Sequence, residues 1–135
     1  MSLILCPLIS QNQLPLMNGF LEDIENNEFQ YWTHQANEGG DATYSIETDN
    51  LVEGSTKALK CEVHSLGANG WHVSSKSEYP FQVIAGQKYT VTFYAKVEGA
   101  DSRQMKLVFQ SEVSGSYQAQ NIWITNEWQR YSHTF

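Results

Sequence analysis

The sequence predicts an all-β protein, an antiparallel β-sandwich or jelly roll. Two observations predict it: apolar and polar residues alternate along most of the chain, and turn-forming residues recur at short intervals. In addition, no segment has a helical apolar period with a cap at both ends. Many short strands without helices between them are typical of sandwiches and jelly rolls.

The clearest strand runs from Lys88 to Val97. Every second residue there is apolar, namely Tyr89, Val91, Phe93, Ala95 and Val97. Residues of the other face are polar except for Tyr94. The segments Lys57 to His64 and Gln104 to Ser111 alternate in the same way, so all three are predicted to be strands with one buried face.

Weaker patterns predict six further strands. They are Phe29 to Gln35, Ala42 to Glu47, Gly70 to Ser77, Phe81 to Ile84, Tyr117 to Ile124 and Gln129 to Phe135. Glycine and asparagine turns separate them, for example at Gly39-Gly40 and Ala85-Gly86. A helical turn is expected only at Phe20 to Asn26.

Length and charge limit the classes of function. A chain of 135 residues is expected to form one domain, residues 1–135. Its net charge of -7 opposes binding to nucleic acid or to an anionic membrane, because phosphate repels it. The apolar run Leu3 to Ile9 is too short to span a bilayer. The two cysteines, Cys6 and Cys61, allow one disulfide, and two buried thiols are the alternative.

No residue pattern in the sequence favours an enzyme. The acidic residues before Trp32 lie in one polar segment, which is more typical of a solvated loop than of paired glycosidase carboxylates. The four histidines lack metal-ligand spacing, and neither a nucleophile elbow nor a phosphate-binding glycine loop occurs.

Outward-facing aromatic residues instead favour ligand binding. Most of the 17 aromatic residues are expected in the core. Tyr94 occupies the polar face of its strand, and Trp71 and Tyr117 adjoin loops rich in glycine and serine. A sugar ring stacks its C–H face on such aromatics, and Gln110 and Lys106 offer hydrogen bonds to its hydroxyls.

Four blocks in order resemble a known family. They are Leu16-Met17-Asn18-Gly19-Phe20-Leu21-Glu22-Asp23, Glu53-Gly54-Ser55-Thr56-Lys57-Ala58-Leu59-Lys60-Cys61, residues 81–96, and residues 124–135 with Trp128 and Tyr131. In this the chain resembles the CenC-like carbohydrate-binding modules of families 4, 9 and 22, which are galactose-binding-like jelly rolls. Such modules are non-catalytic parts of secreted glycoside hydrolases.

The resemblance implies a polysaccharide or oligosaccharide ligand, such as xylan or β-glucan, and a secreted or cell-surface location. It places Trp71 and Tyr79 on a strand of the ligand groove, with Tyr94, Gln110 and Tyr117. It also implies a structural calcium ion, for which Glu22 is the candidate ligand, although Leu21 interrupts the family's opening motif.

The chain departs from the family at its end. Members continue past the block around Trp128 into one or two more strands, which this sequence lacks after Phe135. Either the chain is a truncation, or the remaining strands come from elsewhere, such as a swapped partner. An open sheet edge would favour pairing with another molecule, for example in a dimer. The alternative function is a protein-interaction or structural module of a multidomain extracellular protein.

Overall fold

The structure is a computed structural model. It describes the backbone of residues 2–7 and, with their side chains, residues 19, 21–78, 80–115 and 117–135. Its strands are β1 (Ser2–Pro7), β2 (Ile24–Glu25), β3 (Glu28–Phe29), β4 (Trp32–Ala36), β5 (Gly40–Glu47), β6 (Ala58–Leu66), β7 (Val73–Ser77), β8 (Thr90–Glu98), β9 (Ser102–Gln110), β10 (Tyr117–Thr125) and β11 (Gln129–Thr134). One 3₁₀ turn, Gly70–His72, precedes β7.

Five strands form the largest sheet, in the order β11-β8-β1-β6-β5, and every neighbouring pair is antiparallel. Three two-stranded pairs accompany it: β9 with β10, β2 with β3, and β4 with β7. The predicted antiparallel all-β sandwich is confirmed, whereas its jelly-roll connectivity stays a prediction. No helix in the described part of the chain is long and apolar enough to cross a membrane.

The first core lies between β8 and the pair β9–β10. Its buried residues are Phe93, Ala95, Val97 and Ile124. Met105 and Leu107 pack against them from β9, because the odd-numbered residues of this strand face inward. The inward positions predicted for β8 and β9 are thereby confirmed, although Lys96 on the other face of β8 is buried too.

The second core lies over the other half of the large sheet. Leu21 and Phe29 are buried against Leu59 of β6, and Tyr44 and Ile46 of β5 flank them. The predicted inward face of β6 is confirmed, since Leu59 is 2% and Cys61 8% exposed. Cys61 is a free thiol, so it forms no disulfide, and its burial raises the pKa of the thiol.

Four local predictions are wrong. Residues 81–84 form no strand; instead a turn follows them, with the Gln87 amide donating to the Ile84 carbonyl. The strand predicted from Phe29 to Gln35 is divided at Tyr31, whose φ of 65° interrupts the extended backbone. In place of a helical turn before Asn26, β2 and β3 form a hairpin. The strand predicted from Gly70 begins only at Val73, after the 3₁₀ turn.

Candidate functional site

The pair β9–β10 presents one whole face to solvent, which we call the β9–β10 face. Residues that lie opposite each other in an antiparallel pair share a face. The register pairs Gln110 with Tyr117, and Lys106 with Asn121. The full face consists of Gln104, Lys106, Val108, Gln110, Tyr117, Ala119, Asn121 and Trp123, all of them exposed.

Two aromatic side chains stand at the ends of this face. Tyr117 is 69% and Trp123 62% exposed. They are six positions apart along β10, which corresponds to about 20 Å at roughly 3.4 Å per residue. Polar side chains lie between them, including the ammonium group of Lys106. The face is therefore a strip with an aromatic ring at either end.

The β9–β10 face unites three of the residues that the sequence singled out: Lys106, Gln110 and Tyr117. Sequence reasoning missed Trp123. Ile122 and Ile124 pack into the first core. Because side chains alternate between the two faces of a strand, the position of Trp123 relative to Tyr117 was enough to predict that both face outward.

Tyr94 lies on a different surface. Its neighbours Phe93 and Ala95 face the first core under β9–β10, so the half-buried Tyr94 points to the opposite side of β8. Its register partner there is Arg130 of β11. The structure thus separates Tyr94 from the β9–β10 face.

Trp71 is in the 3₁₀ turn and not on a strand. It is 60% exposed, and its ring meets the ring of His72 edge to face at a centroid distance of 5.7 Å. Its carbonyl accepts a hydrogen bond from Gln35 Nε2 at 3.0 Å. Trp71 therefore lies beside β4, away from the β9–β10 face. Tyr79 lies outside the described residues.

Glu22 is engaged by neighbouring side chains. Its carboxylate accepts a hydrogen bond from Thr56 and pairs with Lys57 Nζ at 3.2 Å. Burial raises the pKa of Glu22, but the hydrogen bonds and the charge of Lys57 outweigh it and lower the pKa. Calcium needs six to eight oxygen ligands, and no three acidic, histidine or cysteine residues cluster in the described part of the chain. The calcium ion and the role of Glu22 as its ligand therefore stay a prediction.

A polar cavity of about 280 Å³ lies on the β4–β7 pair. Its lining consists of Thr33, His34, Gln35, Ser74, Lys76 and Glu78. The register places Thr33 opposite Lys76 and Gln35 opposite Ser74, so these four side chains share one face. Sequence reasoning missed this cavity, because it arises from two strands that are far apart in the chain.

His34 connects the cavity to the second core. Its ring stacks on Tyr44 with the centroids 4.6 Å apart, and its Nδ1 lies 2.9 Å from the Ser75 hydroxyl. Burial lowers the pKa of His34 and outweighs the charge of Glu28, which raises it. The imidazole is consequently neutral at pH 7 and adds no charge to the cavity.

We compared the chain with models of known families, with curated proteins and with solved structures, and none of the three comparisons found a match.

Proposed function

We propose that the protein binds carbohydrate without transforming it, and that the β9–β10 face is the binding surface. The ligand class is a plant or microbial polysaccharide such as xylan or β-glucan. The observation that carries the proposal is the presence of Tyr117 and Trp123 on one solvent face. The resemblance to CenC-like modules leads to the same ligand class and favours a module of a larger secreted glycoside hydrolase.

The chemistry of the face suits a neutral, hydroxyl-rich chain. Exposed aromatic rings offer flat apolar surfaces for the C–H faces of sugars, and each hydroxyl of a sugar both donates and accepts hydrogen bonds. Gln110 and Asn121 carry amides that do both as well, and Lys106 donates. The net charge of -7 does not oppose a neutral ligand.

Calorimetric titration with soluble xylan, β-glucan and mannan tests the proposal. We expect saturable binding of at least one polymer by the full chain. Trp123→Ala and Tyr117→Ala should each weaken it about five- to thirtyfold, since stacking contributes roughly 1–2 kcal/mol per ring.

Trp71→Ala is the matched control, because it removes an equally exposed indole from another surface. Binding should survive this change. Absence of heat with every polymer would count against the proposal, and so would an equal loss of binding in Trp71→Ala.

The second candidate function is protein interaction. One of the two central pairs of the β9–β10 face is apolar, because Val108, 47% exposed, lies opposite Ala119. Such a surface also suits a second copy of the chain. Sedimentation at increasing concentration tests this: association that Val108→Lys abolishes, without binding to any polysaccharide, would favour the protein interface.

A further inference from the structure

We propose that the polar cavity on β4–β7 binds a small zwitterion of the free amino acid class, a molecule with one ammonium and one carboxylate group. The cavity is distinct from the β9–β10 face, and none of its lining residues belongs to that face. The proposal therefore does not depend on carbohydrate binding.

Two opposite charges in the cavity point to this class. Lys76 and Glu78 are two residues apart, so both side chains leave the strand on the same side, about 7 Å from each other. In the described part of the chain neither group forms an ion pair. A zwitterion places its carboxylate at Lys76 and its ammonium at Glu78, and so satisfies both charges with strong hydrogen bonds.

Hydrogen bonds of the backbone hold the two charged residues in place. Lys76 lies opposite Thr33 in the register of β4 and β7. The Glu78 amide donates to the Tyr31 carbonyl at 2.8 Å, which continues the pairing one step beyond the strand. These bonds fix the backbone from which both side chains extend, while the two exposed side chains themselves are ordered by the ligand.

One hydroxyl of the cavity lining is closed to solvent. Thr33 Oγ1 is shielded from solvent and has no hydrogen-bond partner in the described structure. A ligand reaches this hydroxyl only if the lining moves, so the groups open to a ligand are Lys76, Glu78 and the exposed side chain of Gln35. Thr33 lines the cavity between Lys76 and the amide of Gln35.

The size and total charge of the cavity agree with a small neutral ligand. Its volume of about 280 Å³ is near the lower end of small-molecule sites, which span roughly 300–1,000 Å³. Lys76 and Glu78 cancel in net charge, so the lining as a whole does not favour a ligand of either net charge over one whose two charges also cancel. The two charges also select against molecules that carry only one of them.

Analogues of one amino acid test the proposal. Glutamine, its N-acetyl derivative without the ammonium group, and its amide without the carboxylate are titrated into the full chain while amide chemical shifts are followed by NMR. A panel of other free amino acids is run in parallel. We expect saturable shifts in β4 and β7 with at least one free amino acid, and binding about tenfold or more weaker when either charge is removed.

Variants of the chain complete the test. Lys76→Met should weaken the free amino acid and leave the affinity for its amide, which has no carboxylate, nearly unchanged. Glu78→Gln should do the same for the N-acetyl derivative. Lys88→Met and Glu53→Gln are matched controls, since both remove exposed charges outside the cavity.

Two results would overturn the proposal. The first is the absence of saturable shifts with every free amino acid, when the spectrum shows a folded chain. The second is equal binding of the free amino acid and its two derivatives. Neither result bears on polysaccharide binding, which depends on other residues.

Discussion

Lys96 lies over the ring of Trp128, with its Nζ 5.6 Å from the ring centroid. The lysine is only 4% exposed, and its ammonium also contacts Glu98 Oε1 at 2.8 Å. Trp128 in turn donates from Nε1 to the Asn50 carbonyl at 2.8 Å. The carboxylate of Glu98 neutralises the buried ammonium group of Lys96. The hydrogen bond from Trp128 connects the loop after β5 to the start of β11, and β5 and β11 are the two edge strands of the large sheet.

We predict that Glu98→Gln lowers the free energy of unfolding by about 1–2 kcal/mol, because it leaves the buried Lys96 without its carboxylate. The loss is smaller than for a fully buried ion pair, because the Glu98 side chain is 39% exposed and water screens its charge. The double variant Lys96→Met/Glu98→Gln should recover most of the loss. Urea denaturation measures both, with the exposed Glu112→Gln as control. A double variant less stable than Glu98→Gln alone would contradict the prediction.

Glu98 also predicts an acid-sensitive step in stability. The hydrogen bond from Lys96 lowers its pKa below the ordinary 4.5, burial opposes this, and the charges of Lys96 and Lys60 add to the lowering. Below pH 4.5 the unfolded chain therefore binds more protons than the folded chain. The stabilisation is complete above pH 4.5 and is lost as the pH falls through the folded pKa. As the pH falls through this range, the urea midpoint should fall less steeply in Glu98→Gln than in the unchanged chain. Parallel plots of midpoint against pH for the two proteins would contradict the role given to Glu98.

His34 predicts a second pH effect, at higher pH. Burial holds its pKa in the folded chain below the ordinary 6.5, so protonation of the imidazole favours the unfolded chain. Stability should be constant above pH 6.5 and should decrease below it. His34→Phe keeps a ring against Tyr44 and should flatten this decrease in thermal melts. His64→Gln, which changes an exposed histidine, should leave the decrease in place.

The sequence predicted the strands that have one buried face. In β6 and β9 the alternation is regular because one side packs on a core and the other is more exposed. The apolar residues of β8 alternate in the same way, but its other face is also covered, since Lys96 is 4% exposed. It did not predict β1, at the centre of the large sheet, because the run Leu3 to Ile9 is apolar without alternation. A continuous apolar run does not distinguish a strand from other buried structure.

The candidate sites were predicted to a different degree. Parity alone brought Lys106, Gln110 and Tyr117 to one face, since a hairpin of adjacent strands needs only local register. The cavity on β4–β7 depends on pairing between residues such as His34 and Ser75, which are 41 positions apart. Such long-range register follows from the packing of the whole chain, so a single sequence does not contain it in readable form.

We predict that position 67, which is glycine, accepts no larger residue. Its φ is +67°, and a Cβ there would lie 2.7 Å from the Gly40 amide nitrogen and 2.9 Å from the Glu38 carbonyl oxygen. Both are backbone atoms, so neither can rotate away. Gly67→Ala should therefore lower stability well beyond the roughly 1–2 kcal/mol that a left-handed backbone costs. Gly54→Ala is the control, with φ +88° and open space around it. Equal losses in urea denaturation would contradict this reading.

We predict that two adjacent residues have different roles: Ile124 contributes to stability, and Trp123 to ligand binding. Ile124 is 0% exposed in the first core, so Ile124→Ala should cost about 2–5 kcal/mol of unfolding free energy. Trp123 projects from the other face of β10, and Trp123→Ala should change stability by only about 0.5 kcal/mol while weakening polysaccharide binding. Thermal melts and calorimetric titration on both variants measure the separation. If Trp123→Ala destabilised the chain as much as Ile124→Ala, the indole would be a packing residue, and its loss of binding would carry no information about a ligand surface.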